Sequence, residues 1–265
     1  MAITKKQADQ YIEDVFNGKI DVKNLPEDIY LAIADRLTAG LYQGFGGTLS
    51  DFSGRDYELL AELRENIYMF SGAKTYQEVR EMTDLLVDKD GGLRSFDDFK
   101  TEALKVHELY NETYLETEYN TAVGQGASAV AWQQIESQKS ILPFLKYNAI
   151  LDERTDEICA SLDGLVAPVD DPIWSDYSPL NHFNCRCVLD QLEEDSGDGP
   201  DYDDTKEKVS ELVDDVFKNN PGKTGYVFNE DHPYFTVLKE DKAAAQNNFN
   251  LPIPKPEKAK GSDDE

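Results

Sequence analysis

The chain has 265 residues, with 53 acidic against 26 basic side chains, a formal charge of −27 and 40% hydrophobic residues. That apolar content is enough for a folded core of one domain or two, whereas the acid excess opposes the basic face that phosphate backbones require, so direct nucleic-acid binding is disfavoured. No apolar run approaches the roughly 20 residues that span a bilayer, and the start Met-Ala-Ile-Thr-Lys-Lys lacks the apolar stretch of a secretory signal, so a soluble protein without a membrane partner is expected.

Residues 4–42 read as largely helical. Thr4 can cap a first helix that carries Ala8, Tyr11, Ile12, Val15 and Phe16 at helical spacing, and Asn17-Gly18 should end it. A second helix starts near Pro26 with Ile29, Ile33, Leu37 and Leu41 on one stripe, and the cluster Gly40, Gly44, Gly46 and Gly47 should break it. Two further helices fit 56–70 and 75–88, the latter stopping before Asp90-Gly91-Gly92. From Ser95 to Gln138 a long helical stretch follows, with Phe99, Ala103, Val106, Tyr110, Tyr114, Ala122, Val130 and Trp132 reading as a core stripe.

The pattern changes at Pro143. Residues 144–151 read as a strand, and Thr155 with its acidic neighbours could cap a short helix that delivers Cys159. Residues 163–179 read as a loop, and Cys185–Leu189 as a second strand that pairs with 144–151. An acidic loop over 190–204, a helix over 205–218, a β-like segment at 226–228 and, from about Ala243, a disordered terminus complete the chain. The fold class expected is α+β and mostly helical: a helical N-terminal region over 1–95, a small α+β module over 96–240 with a Cys/His cluster, and a disordered tail over 241–265.

That cluster holds all three cysteines of the chain, as Cys159 followed by His182, Cys185 and Cys187. In an extended segment Cys185 and Cys187 would point to one face with Arg186 on the other, because strand side chains alternate. His182, three residues upstream, can turn to the same point, and Cys159 can supply a fourth ligand. Three thiolates and one imidazole make a closed tetrahedral Zn2+ set with a structural role. Buried reduced thiols acting as small hydrophobes, or a disulfide, are the competing readings. The phosphate-binding loop, the dinucleotide fingerprint and the His-Glu-x-x-His helix are missing from the sequence. A Cys159–His182 nucleophile is conceivable, but Cys185 and Cys187 make ligation the simpler use of both groups. The carboxylates Asp152, Glu153, Asp156 and Glu157 are better used for helix capping and an ion pair with Arg154, and nothing in the order of Asp176, Ser178 and His182 favours a hydrolytic triad.

Three blocks occur in order: Tyr147-Asn148-Ala149-Ile150-Leu151-Asp152-Glu153-Arg154-Thr155, Cys159-Ala160-Ser161-Leu162-Asp163-Gly164, and Pro179-Leu180-Asn181-His182-Phe183-Asn184-Cys185-Arg186-Cys187. Together they resemble the phage Mu F-like head morphogenesis family over about residues 100–190, and Glu116-Thr117-Glu118 looks like that family's Arg-Thr-Glu block with Glu116 in place of the arginine. Two further features depart from the family pattern. Asp156 stands where a cysteine often completes a CxxC with the position of Cys159, and the proline run before the histidine is shortened to Ser178-Pro179-Leu180-Asn181. The resemblance implies a minor head protein of a tailed phage or prophage, present in few copies in the portal region of the head and in the host cytoplasm during assembly. Its implied partners are the portal protein and the major capsid or scaffolding protein, and its implied role is structural. The alternative from another class is a metal-dependent hydrolase or toxin-related enzyme, since the family module also occurs joined to toxin-like domains.

Overall fold

The computed structural model describes residues 4–195 and 197–261. Helix α1 (Lys5–Phe16) starts with a reciprocal capping box: the Thr4 hydroxyl accepts from the Gln7 backbone N–H at 3.3 Å, and the Gln7 side-chain oxygen accepts from the Thr4 N–H at 2.9 Å. Its face of Ala8, Tyr11, Ile12 and Val15 is buried. Helix α2 (Glu27–Phe45) buries the expected stripe of Ile29, Ile33, Leu37 and Leu41, yet it runs through Gly40 and Gly44 and ends only at Gly46, whose φ is +90°. At Gly44 a Cβ would collide with the Val123 backbone, so this glycine serves close helix approach and does not break the helix.

Helix α3 (Gly54–Asp84) is continuous where two helices over 56–70 and 75–88 were expected. The Ser71-Gly72 step does not interrupt it, and the Ser71 and Thr75 hydroxyls are satisfied by donating back to the carbonyls of Ile67 and Ser71 within the same helix. Helix α4 (Phe96–Glu108) is capped by Ser95, passes into a π-helical turn over Leu109–Tyr114, and continues as α5 (Leu115–Gln138). The turn shifts the buried face by one residue. Phe99, Ala103, Val106 and Tyr110 are buried as the stripe requires, but beyond Tyr110 and Asn111 the next buried residue is Leu115, while Tyr114 is 40% exposed.

The chain divides into two compact units. The first takes in the chain up to Gly40, Arg64–Asn120 and Pro233–Pro256; the second takes in Leu41–Leu63, Thr121–His232 and the residues from Glu257 onward. Inside the first unit Lys74 is fully buried, with its Nζ 2.8 and 2.7 Å from the two carboxylate oxygens of Glu118. The rings of Tyr110, Tyr114 and Tyr234 lie within 5.4 to 5.9 Å of the ammonium. Burial pushes the Lys74 pKa down and that of Glu118 up, against their mutual attraction. One helical turn away Glu78 is also buried, with His107 Nδ1 and Asn111 Nδ2 both 2.8 Å from its Oε1.

The second unit holds a three-stranded antiparallel sheet in the order β2-β1-β3, made of β1 (Phe144–Asn148), β2 (Val166–Pro168) and β3 (Val188–Leu192). Register runs from Phe144 opposite Leu192 to Asn148 opposite Val188, and from Phe144 opposite Pro168 to Lys146 opposite Val166. Trp132, Leu145, Tyr147, Leu162, Trp174 and Val209 form its core. Strand β2 and the short helix α7 (Ile173–Asp176) occupy the stretch read as loop. The chain reverses at Gly164, with φ +80°, after Asp163 accepts the Ala149 N–H at 2.9 Å, and this returns Val166 beside β1. Helix α8 (Tyr202–Leu212) starts earlier than expected on an Asp201 cap and stops at Val213 instead of 218. Residues 226–228 form no strand; Val227 and Phe228 are buried side chains on an irregular segment.

The tail expected to be disordered over 241–265 is placed through 261, and 262–265 lie outside the described residues. Composition misleads here because the segment ahead of its prolines carries Phe249 and Leu251, which are buried in the core of the first unit. Tyr30 donates to the Pro252 carbonyl at 2.8 Å, Arg64 donates to that of Pro254 at 3.0 Å, and in the second unit Tyr57 donates to that of Glu257 at 2.8 Å.

Candidate metal centre

Helix α6 (Glu157–Leu162) delivers Cys159 in the second unit, as expected, but its cap is Asp156, whose carboxylate accepts the Ile158 N–H at 2.9 Å. Thr155 is used one step earlier: its hydroxyl donates to the Ile150 carbonyl and accepts the Asp152 N–H, closing the turn between β1 and α6. This geometry settles the position of Asp156. Its side chain caps a helix, and Asp156 is not among the residues that converge on the thiols.

The opposite wall is the loop ahead of β3. Asn181, fully buried, donates from Nδ2 to the Tyr147 hydroxyl at 3.0 Å and to the Tyr177 carbonyl at 3.2 Å, which fixes the chain just before His182. Cys185 and Cys187 lie in this loop and not in a strand, since β3 begins at Val188. Alternation along an extended segment therefore does not aim their sulfurs; the turn does, with the Cys185 N–H bonded to the His182 carbonyl at 3.2 Å. Across the mouth Arg186 donates to both oxygens of Asp152, at 2.8 and 2.6 Å, and this two-toothed pair holds the Asp152 carboxyl down at about 2. Arg154, expected as the partner of these acids, is left exposed at a cleft of about 300 Å³ that also borders His182 and Arg186.

Cys159, His182 and Cys185 offer ligand atoms that all lie within 4.8 Å of one another. Cys159 Sγ is 3.6 Å from Cys185 Sγ and 3.1 Å from His182 Nε2. Cys187 stands outside that trio, near enough for its thiol to influence the titration of Cys185 and Cys159. Of the three thiols Cys185 is the sulfur that carries negative charge most readily, held well below the ordinary thiol range by its neighbours Cys159 and Cys187, and the Cys159 thiol is pushed up in consequence.

The donor set fits a metal ion on two grounds. Bonds of about 2.3 Å from a tetrahedral ion to two thiolates set the sulfurs about 3.8 Å apart, close to the 3.6 Å seen here. The His182 ring is also set for ligation: Nδ1–H donates to the Phe183 carbonyl at 2.9 Å, which leaves the Nε2 lone pair facing Cys159. The cluster could hold a metal ion.

The three sequence blocks thus converge physically, the first turning into α6, the second carrying Cys159 and the third closing the loop. The model of the family described as Phage Mu protein F like protein matches residues 72–190. An Escherichia phage Mu protein named "Putative capsid assembly protein F" is 32% identical over 85 residues, covering 32% of this chain and 19% of that protein. The Mu-like prophage FluMu F protein of Haemophilus influenzae is 33% identical over 82 residues, 31% of this chain and 19% of the relative. The matched stretch thus spans about a fifth of each curated relative. No solved structure matches the chain. The Mu F-like segment includes Lys74, Glu78, His107 and Glu118 as well as the Cys/His cluster. Sequence reasoning missed the first three because on helices they read as ordinary solvated charges; for Glu118 the signal was the Glu-Thr-Glu block alone. Among the described residues no helix is long and apolar enough to cross a membrane.

Proposed function

We propose that this chain is a minor head protein of a tailed phage or prophage, acting structurally in head assembly near the portal. The observation that carries the reading is that residues 72–190 match the Mu F-like family and enclose the whole Cys/His cluster, while one relative over that stretch bears a capsid-assembly name. Its partners are then the portal protein and the major capsid or scaffolding protein, its place is the portal region of the virion head, and its building stages take place in the host cytoplasm. The functional division follows 1–95 as a helical docking region and 96–240 as the head morphogenesis module.

The cluster serves this role as a structural Zn2+ site with Cys159, His182, Cys185 and Cys187 as ligands. Zinc bound by three thiolates and an imidazole supplies a crosslink between α6 and the loop ahead of β3, and it keeps no open position for an activated water. That closed set is the reason to favour a structural protein over a metal-dependent hydrolase. Quantitative mass spectrometry of proheads and filled virions tests the role: a low fixed copy number in both is expected, and absence from both rejects it. Elemental analysis of the purified chain tests the metal, with one zinc per chain expected and none after Cys159→Ser combined with Cys185→Ser.

A further inference from the structure

In the first unit the groove between α2 and α3 is filled by the chain's own residues 248–254. The Phe249 ring stacks on Tyr76 with centroids 4.8 Å apart and planes 18° from parallel. Asn248 Nδ2 donates to the Tyr30 hydroxyl at 3.0 Å, and that hydroxyl donates onward to the Pro252 carbonyl at 2.8 Å. Arg64 donates to the Pro254 carbonyl at 3.0 Å. Gly72 forms a notch for Asn248, since a Cβ at that position would collide with the Asn248 side-chain oxygen. Leu251 and Ile253 pack on the same aromatic floor as Tyr30, Tyr68 and Tyr76.

Three features of this contact bear on how permanent it is. Among the described residues, the backbone-to-backbone hydrogen bonds outside regular helices made by 233–256 stay within that segment, so it can leave the groove without opening a helix or a sheet. Asn248, Phe249 and Asn250 all hold positive φ, at +46°, +54° and +62°. Asparagine tolerates that conformation, whereas an aromatic residue rarely adopts it, so the docked shape is imposed by the groove and relaxes on release. Finally, Asn-Phe-Asn-Leu-Pro-Ile-Pro is uncharged, in a chain whose formal charge is −27. A second copy that offered this stretch would bring no like charge into the contact.

We propose that the α2–α3 groove is a receptor site for this segment, and that it accepts residues 248–254 of a second copy of the chain in exchange for its own. The contacts belong to the segment's sequence and not to its covalent connection, and every copy carries both groove and segment. Exchange of an identical element between copies needs no new surface, and it is driven by local concentration.

The test uses two full-length variants. Phe249→Ala weakens the resident segment and leaves the groove intact; Tyr76→Ala damages the groove and leaves the segment intact. A fluorescent peptide corresponding to residues 246–256 should bind the Phe249→Ala chain at least tenfold more tightly than the unaltered chain, and it should not bind a chain carrying both changes. Mixed at equal concentration, the two single variants should form a heterodimer in analytical ultracentrifugation, while Tyr76→Ala alone stays monomeric. Loss of helical circular dichroism in the Phe249→Ala chain would overturn the proposal, because the segment would then be an integral part of the fold. A folded Phe249→Ala chain that ignores the peptide would overturn it as well, and peptide binding without a heterodimer would overturn the assignment of a second copy as occupant.

Discussion

Lys74 in the first unit and Cys159 in the second are both buried, but they are held by opposite means. Lys74 and Glu118 project from long helices, so their meeting is fixed by helix register and by the rings of Tyr110, Tyr114 and Tyr234 around them. Cys159, His182 and Cys185 come from a short helix and a loop, anchored by a few side-chain bonds from Asn181, Asp156 and Arg186. Each region is therefore vulnerable at a different point. A helix-borne pair fails when one charge is left without the other, whereas a loop-borne cluster fails when nothing ties its two walls together.

Lys74 is where a single change should cost most. Lys74→Met should cost about 3–5 kcal/mol in urea unfolding, because Glu118 is left charged and buried, and Lys74→Met with Glu118→Leu should recover most of that loss. A double variant as unstable as the single one would show that the pair is needed for more than charge balance. The corresponding break in the second unit is metal removal. If zinc crosslinks the walls, a chelator should remove about 2.7 kcal/mol of stability relative to free zinc at 100 times its dissociation constant, read as a fall in melting temperature. The chain with Cys159→Ser and Cys185→Ser should not respond.

Smaller changes sharpen the contrast. Asp156→Ala removes the cap of α6 and should cost about 1 kcal/mol, with a weaker hold on any bound metal, because Cys159 lies three residues into that helix. The smallest effect belongs to the exposed Arg186–Asp152 pair. The Asp152 carboxyl sits at about 2 when folded, below its ordinary value of 3.8. The pair's contribution is therefore fully present above the ordinary value and fades only as pH falls through about 2. Carbon-13 NMR titration should return Asp152 to the usual carboxylate range in Arg186→Ala, with little change in stability at neutral pH.

Where one periodic signal governed the structure, it was legible in the sequence: the stripes of α1 and α2 and the pairing of 144–148 with 188–192. Illegible features were those in which a local rule was overridden by a distant neighbour. Gly44 read as a break because the backbone of Val123, which demands a glycine there, lies far along the chain, and the same holds for Gly72 in the gap left between 56–70 and 75–88, where the demand comes from the side chain of Asn248. Cys185 and Cys187 read as strand because Cys-x-Cys fits alternation, although a turn aims them. The tail read as disordered because proline and charge dominate its composition, while a few apolar side chains decide its placement.

The π-helical turn at Leu109–Tyr114 acts as a gear change within one long helical run. An ordinary helix would carry the face of Phe99, Ala103 and Val106 onward through Tyr110 toward 113 or 114, and Glu118 would rotate out of line. The extra residue taken up by the wider turn advances the phase so that Tyr110, Asn111, Leu115 and Glu118 all face inward. Length in this stretch is therefore itself a coded quantity. Removing one residue from the turn would let an ordinary helix run through with Glu118 still facing Lys74, whereas regularising the turn at unchanged length would rotate Glu118 away and strand that ammonium in the core.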